Sequence, residues 1–447
     1  MIIKQFQDKP LAHYSYAIIS EGKMALVDPA RNPTPYYKYA EENNAKIIAI
    51  FETHPHADFV SSHLQIHEEK GATIYVSKLV DANYPHQSFD DGDTLKMGKI
   101  TFSAINTPGH SPDGITIMAK DENNKHAMFS GDTLFIGDVG RPDLREKAGN
   151  MRATREKLAK SMYHTIQNKF NHLPDDTLVY PAHGAGSLCG KNMSTDPSST
   201  LGEERASNWA FKKQTEKEFV DTILMDQPFI PSYFGYNVDI NKTGAENFDK
   251  NTNSIPIKLE VKSLPESSLI IDIRDEADFK KNHLKGSINI MARNEDDKIE
   301  TWLGSIVNPK EKFYLVLNSI NDKDEIIARI AKIGYENQIE AIVTLSDNSL
   351  QKSETFDLEH FKNNEDAYTI IDIRNKSEVA EGKIFETAIN IPLNELRESE
   401  ETLPTNKPFV VHCAGGYRSA AGSSILQKNL DYATVFDLSD AIKEFQD

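Results

Sequence analysis

Thr53-His54-Pro55-His56-Ala57-Asp58-Phe59 is the stretch that decides the fold of the first half of this chain. It follows Lys46-Ile47-Ile48-Ala49-Ile50-Phe51, a short apolar run of strand type. Two histidines and an aspartate therefore sit on a loop past the end of a buried strand. In extended backbone His54 and His56 point to the same side, which lets two imidazoles converge on one cation. Three more polar loops follow apolar runs in the same way. Residues 107–114 follow Ala104-Ile105-Asn106 and carry His110; residues 130–133 follow Ala127-Met128-Phe129 and carry Asp132; residues 181–184 follow Leu178-Val179-Tyr180 and carry His183. Strand-end loops are where a rigid scaffold displays chemistry. Four of them bearing ligand-type side chains predict a metal site.

The whole chain bounds that reading. Its 447 residues leave room for two to four domains. With 38% hydrophobic and 26% charged residues it has the composition of a soluble globular protein. A net charge of −18 argues against nucleic-acid and anionic-membrane partners, whose phosphates it would repel. The two cysteines, Cys189 and Cys413, rule out a disulfide framework and point to a reducing, cytoplasmic compartment. Met1-Ile2-Ile3-Lys4-Gln5-Phe6 lacks the basic region and apolar core of a signal peptide, and no apolar run approaches membrane-spanning length.

Residues 1–130 alternate short apolar runs with turn signals, an α/β layered pattern. Helices are expected at 34–43, 61–70 and 202–217. The first domain is expected to end near Ala245, with a linker at 246–256. A repeat follows. Leu269-Ile270-Ile271-Asp272-Ile273-Arg274 recurs as Thr369-Ile370-Ile371-Asp372-Ile373-Arg374, and Ser287-Ile288-Asn289-Ile290 recurs as Ala388-Ile389-Asn390-Ile391. That period is too long for a solenoid unit. Two tandem domains, 257–348 and 357–447, are expected, each a doubly wound parallel α/β fold.

The set His54, His56, Asp58, His110, Asp132 and His183 resembles the metallo-β-lactamase fold. The resemblance covers residues 1–245 and implies an αβ/βα sandwich with the metal between two sheets. Its hydrolases usually bind two zinc ions and carry a histidine directly after the motif aspartate, where this chain has Phe59. A finer likeness is to the persulfide dioxygenases. It rests on residues 107–112, on Gly131-Asp132-Thr133-Leu134-Phe135-Ile136-Gly137-Asp138-Val139-Gly140-Arg141-Pro142-Asp143-Leu144 and on residues 181–190. It implies one Fe(II) per chain, held by His54, His110 and Asp132, a facial arrangement with three open positions. His56, Asp58 and His183 then orient ligands, hold water or handle protons. Arg141 and Lys191 are candidates for the substrate's anionic groups. Cys189 is either a buried inert thiol or a lining of the substrate channel.

In the last domain, Val410-Val411-His412-Cys413-Ala414-Gly415-Gly416-Tyr417-Arg418-Ser419 reads as a strand, a loop opening on cysteine, and a helix running to about Leu430. Backbone N–H groups and a helix N-terminus would stabilise a cysteine persulfide there, with Arg418 adding positive charge. The run looks like a rhodanese active loop. The first copy has Asn318 in the cysteine's place and lacks the glycines and arginine, so it is expected to be inactive, a spacer and packing surface. Together these features predict oxidation of a small-molecule persulfide by O2 to sulfite and thiol, with Cys413 passing sulfane sulfur to sulfite to give thiosulfate. A binuclear zinc thioester hydrolase fused to a sulfurtransferase is the alternative. Family resemblance suggests a homo-oligomer.

Overall fold

The computed structural model describes residues 1–146, 154–346, 350–399, 403–404, 406–430 and 433–446. The chain divides into two compact units, residues 1–250 with 331–334 and residues 251–330 with 335–447.

In the first unit two six-stranded sheets form. One holds β1 (Ile2–Asp8), β2 (His13–Ser20), β3 (Lys23–Val27), β4 (Lys46–Phe51), β5 (Thr73–Val76) and β6 (Gln87–Ser88), in that order. The other holds β7 (Thr94–Met97), β8 (Ile100–Asn106), β9 (Ile115–Asp121), β10 (His126–Gly131), β11 (Leu178–Pro181) and β12 (Ser199–Thr200), again in sequence order. The period-two alternation of strand side chains gives each sheet two apolar faces. On β2, Tyr16 and Ile18 turn one way and Ala17 and Ile19 the other. The inner faces meet in a core that includes Phe51, Phe89, Phe102, Ile117 and Phe129. Outside one sheet Ile47, Ile50 and Ile74 are covered by Tyr36, Ala40 and Ile66 from the helices Thr34–Glu42 and His63–Lys70. Outside the other, Met118, Met128 and Val179 pack under Met162, Leu201 and Phe219 from the helices Arg155–His164, Leu201–Ser207 and Glu216–Leu224. These four layers are the αβ/βα sandwich of the metallo-β-lactamase fold.

Two expectations change. The helix expected at 202–217 is broken into Leu201–Ser207 and Glu216–Leu224. Asn208 ends the first piece because its buried amide donates to the carbonyl of Asp138 (3.1 Å) and to Glu204 (2.9 Å), while its oxygen accepts the Ala210 N–H. Thr215 and Glu218 then start a new helix with a reciprocal capping box. The stretch 246–256, expected as a linker, contains the helix Phe248–Asn253. Phe248 is docked: its N–H bonds to Gln65 and the Arg31 guanidinium lies 5.7 Å from its ring centre.

The second unit holds the two repeats, and among the described residues its named strands pair in parallel, with one isolated antiparallel bridge between His283 and Gln351. One sheet runs β13 (Ile257–Val261), β17 (Ile339–Leu345), β16 (Phe313–Val316), β14 (Ile270–Asp272), β15 (Ser287–Asn289). The other runs β19 (Ile389–Asn390), β18 (Thr369–Asp372), β20 (Phe409–His412), β21 (Val435–Asp437). The repeat extends to single hydrogen bonds. Arg274 forks onto Asp272 and Arg374 onto Asp372, and Asn289 and Asn390 each donate to the two carbonyls of their own Asp–Arg pair. Among the described residues no helix is long and apolar enough to cross a membrane.

Phe102 is fully buried between the two sheets, 5.0 Å from Phe51 ring to ring. Phe102→Ala is expected to cost about 3–5 kcal/mol. The check is a lower urea midpoint for loss of the near-ultraviolet circular dichroism signal.

Candidate functional site

The four loops singled out in the sequence leave β4, β8, β10 and β11 at their C-terminal ends, so both sheets contribute. Their approach is close. Gly131 has φ +55°, and a Cβ there would lie 2.5 Å from Thr53 Oγ1. A Cβ on Gly140 would lie 1.9 Å from the Asp132 carbonyl, so the backbone at 140 presses directly on the loop that carries Asp132.

Between these loops His54, His110 and Asp132 come together, all buried, with one potential ligand atom from each lying within 4.8 Å of the others. Asp132 Oδ2 is 3.4 Å from His110 Nε2 and 3.9 Å from His54 Nε2. His54 Nε2 and both Asp132 oxygens are buried without a hydrogen-bond partner among the described residues. Burial, with His56 and His110 nearby, holds the His54 imidazole well below its usual pKa, and burial also lowers that of His110. Both rings are therefore neutral at pH 7, the form that binds metal. Orphaned buried donors aimed at one point suit a divalent cation.

A second buried group forms beside the first. His56, Asp58 and His183 also have ligand-type atoms within 4.8 Å of one another. His183 Nε2 lies 3.4 Å from Asp58 Oδ2 and 3.6 Å from Asp132 Oδ1. Burial would lower the pKa of His183, but Asp58 and Asp132 outweigh it and raise it to about 9. For Asp58, burial is outweighed by His183 and His56, and its pKa falls to about 2. The Phe59 ring stacks against His13 at 3.8 Å and against His56 at 4.3 Å, both between ring centres.

Two residues of this centre were not singled out from the sequence. Asp28, at the end of β3, is 2% exposed and has φ +48°. Its carboxylate accepts the Thr53 N–H at 2.7 Å and the Thr53 hydroxyl at 2.8 Å, and its Oδ1 lies 3.1 Å from His56 Nε2. The Thr53 hydroxyl, its proton given to Asp28, can only accept from His54 Nδ1 at 3.1 Å. That fixes the His54 tautomer with a lone pair on Nε2. His13, on β2, is buried beside Phe59 and His183. A strand-end Asp-Pro and a histidine inside a strand carry no metal-site signal of their own. The pairing that makes them matter is formed across the sheet.

The substrate candidates fare differently. Arg141 is buried and spends its guanidinium on Asp143 (2.7 and 2.6 Å) and on the carbonyls of Pro228 (2.6 Å) and Leu188 (3.2 Å). Lys191 donates to the carbonyls of Thr222 and Met225. Both clamp loops; the charge of Arg141 is met by Asp143, while Lys191 is held by backbone carbonyls. Arg145, missed in the sequence, is equally committed, forking onto Asp113 at 3.0 Å for each bond. Cys189 is 1% exposed and within 4.8 Å of ligand atoms of Asp132 and His183. Burial first, then Asp58 and Asp132, push its thiol well above the usual range, so it stays protonated. That is the environment of a structural thiol rather than a nucleophile.

In the second unit Cys413 follows β20 and is 1% exposed. Its sulfur accepts the Gly416 N–H at 3.1 Å. Gly416 has φ +94°, and a Cβ there would meet the backbone of residues 439 and 440 at 2.8 Å. The helix Tyr417–Asn429 starts directly after it, and Ser419 Oγ donates to the Gly416 carbonyl. Ala414 and Gly415 form the exposed rim. Arg418 is not a bare charge. It forks onto Glu378 at 2.7 and 2.6 Å and lies 5.6 Å from the centre of the Trp302 ring. Burial works against its charge, but Glu378 and then Cys413 more than offset this. Tyr417 donates its hydroxyl to the Met291 carbonyl at 2.9 Å. Trp302 and Met291 belong to the first repeat, so that domain does more than space and pack: it braces two residues of its sibling's sulfur loop. At the corresponding place in the first repeat, Asn318 is exposed and Ser319 caps a short 3-10 turn instead.

Comparison with known proteins agrees with this division. The Metallo-beta-lactamase superfamily pattern matches residues 8–183, and the Rhodanese-like domain pattern matches 258–343 and 357–447. A crystal structure of a metallo-β-lactamase from Staphylococcus aureus subsp. aureus COL is similar with a TM-score of 0.67 and 30% identity, over 77% of this chain and 99% of that one. The human mitochondrial persulfide dioxygenase ETHE1 is 30% identical over 161 residues, which is 35% of this chain and 58% of that protein. A probable hydroxyacylglutathione hydrolase of Schizosaccharomyces pombe is 28% identical over 242 residues, covering 48% of this chain and 88% of that protein.

Two outcomes follow from the geometry. Asp28→Ala removes the acceptor that fixes Thr53 and lies against His56, and is expected to weaken metal affinity about 10–100-fold; competition with a chelator measures it. Trp302→Ala, in the domain without a cysteine, is expected to slow sulfur transfer at Cys413 by roughly threefold to thirtyfold, the worth of one cation–π contact. Steady-state sulfurtransferase kinetics measure it, and a Trp302→Phe variant should recover most of the rate.

Proposed function

Because the chain belongs to the metallo-β-lactamase superfamily and carries two rhodanese-like domains, we propose that it oxidises a small-molecule thiol persulfide with O2 and transfers sulfane sulfur to sulfite. The observation that carries this reading is Phe59. Hydrolases of this fold usually place a second-metal histidine there, whereas here an apolar ring fills the space between His13 and His56. A second cation would be left with a thin ligand set, and His54, His110 and Asp132 match the ligand set of a single-iron oxygenase.

An Fe(II) held by these three side chains would supply redox chemistry between O2 and the persulfide sulfur. The chain's own residues do the rest. Thr53 and Asp28 keep His54 in one tautomer, and Gly140 lets the backbone close over Asp132. The Asp58–His183 pair sits beside Asp132 and can hold a proton while the sulfur oxidation state changes. The overall reaction is RSSH + O2 + H2O → RSH + HSO3− + H+. At the second site the Cys413 thiolate attacks the outer sulfur of another persulfide, forming a cysteine persulfide and releasing the thiol. Sulfite then takes that sulfur, breaking the S–S bond and restoring the thiolate as thiosulfate leaves. The Gly416 N–H and the start of the helix Tyr417–Asn429 favour the sulfur anion at each stage. Carrying both sites on one chain keeps sulfite local.

A second reading has one observation in its favour. His56, Asp58 and His183 have ligand-type atoms as close together as the first triad, as two-metal thioester hydrolysis would need. Metal analysis and an oxygen electrode separate the two. The expected result is about one iron per chain and O2 uptake with glutathione persulfide. Asp132→Ala should abolish both, while Cys413→Ser should keep O2 uptake but release sulfite in place of thiosulfate. Two zinc ions per chain, with thioester hydrolysis and no O2 uptake, would establish the hydrolase instead.

A further inference from the structure

A cleft of about 730 Å³ lies within the second unit, lined by residues of both repeats and of the segment that joins them. It is separate from the sulfur loop: neither Cys413 nor any residue of 414–419 lines it. Its volume falls in the range of drug-sized ligand sites, about 300–1,000 Å³.

The charge of this cleft runs against that of the chain. Five lysines line it (Lys280, Lys281, Lys285, Lys352 and Lys428) against two carboxylates, Glu354 and Asp437. The protein as a whole carries −18. Two of the lysines are accounted for. Lys280 bridges Asp437 and Glu276 at 2.8 and 2.7 Å, and Lys281 pairs with Asp278 at 3.1 Å. No carboxylate among the described residues lies within ion-pair distance of Lys285, Lys352 or Lys428. Lys428 is half-buried, and burial and then Arg397 lower its pKa against the opposing pull of Glu311. A partly buried ammonium whose neighbouring acid, Glu311, is already forked onto Arg397 is costly to keep charged, and an anion in the cleft would offset that cost.

The remaining lining suits an organic body. The rings of Phe279 and His283 stack at 4.2 Å with 7° between their planes, and Phe356 adds a further aromatic surface. His283 bonds through Nδ1 to the Phe279 carbonyl, which fixes the ring. Apolar and aromatic surface with a few converging charges is the usual make-up of a small-molecule site.

We propose that this cleft binds a phosphorylated organic molecule, its phosphates held by Lys285, Lys352 and Lys428 and its body resting against Phe279 and Phe356. Phosphate carries the charge that three ammonium groups can satisfy. The net charge of −18 disfavours a long polyanion such as a nucleic acid over a small phosphorylated molecule that fits within the cleft.

Isothermal titration of the full-length protein with adenosine 5′-diphosphate tests it, with adenosine and inorganic phosphate as separate ligands. The nucleotide is expected to bind at least tenfold more tightly than either. Lys285 and Lys352 are exposed, so a Lys285→Glu/Lys352→Glu variant should keep its melting temperature while its nucleotide affinity falls about tenfold. Adenosine binding as well as the nucleotide would overturn the role of the lysines. Inorganic phosphate binding as well would overturn the organic body. A double variant that binds like the unaltered protein, or no measurable binding to the unaltered protein, would remove the site.

Discussion

The carboxylate of Asp28 carries the demand on which the first unit's chemistry rests. It is buried at the end of a central strand, in a left-handed backbone conformation that costs a non-glycine residue of order 1 kcal/mol or more. Buried carboxylates survive only when hydrogen-bonded, and both oxygens of Asp28 are bonded by Thr53, on the loop past the adjoining strand. The bonds are mutual constraints. Asp28 keeps Thr53 from turning its hydroxyl proton toward His54, so the histidine must donate through Nδ1 and present a lone pair on Nε2. One carboxylate thereby links the pairing of two neighbouring strands to the tautomer of a ligand residue.

The two centres of the chain solve opposite electrostatic problems. Around Asp132 the acids and imidazoles are packed so tightly that several buried atoms have no partner, an arrangement that strains the protein and favours a cation. Around Cys413 the polar groups that converge are donors: the Gly416 N–H, the first turn of a helix and the Arg418 guanidinium. That arrangement favours an anion on sulfur. The contrast extends to the cysteines. Cys189, beside two carboxylates, is held protonated, whereas beside the loop of Cys413 the Glu378 carboxylate is forked onto Arg418.

What the sequence disclosed follows from where the information lies. His54, His110, Asp132 and His183 each stand in a loop just past an apolar run, so the pattern marked them as strand-end residues, and the family resemblance, not the periodicity, brought them to one place. The tandem repeat was legible because its fold determinants, Asp272 with Arg274 and Asp372 with Arg374, are local in sequence. Asp28 and His13 were not legible, since their partners are 25 or more residues away and are met only when the sheet forms. The partners of Arg141 and Lys191 were hidden for a related reason. Much of what they bind is backbone carbonyl, and a sequence does not show which carbonyls a basic side chain will meet. The helix Phe248–Asn253 was hidden likewise, because the docking of Phe248 on Gln65 and Arg31 outweighs a polar, linker-like composition.

The first repeat shows how separable fold and chemistry are in this chain. Its anchors, an arginine forked on a strand-end aspartate and an asparagine tied to two carbonyls, lie at the ends of β14 and β15 and hold without any help from a sulfur loop. What it retains is surface toward its sibling: the Trp302 ring over Arg418 and the Met291 carbonyl under Tyr417. A loop that must stabilise an anion needs its donors held in place before the charge arrives, since reorienting them afterwards would consume the stabilisation. Glu378 fixes the guanidinium in its plane, and Trp302 holds it against that plane's face. Deleting the first repeat would leave a complete rhodanese-like sequence whose Arg418 and Tyr417 lack the Trp302 ring and the Met291 carbonyl that hold them, so the order of that loop depends on the neighbouring domain.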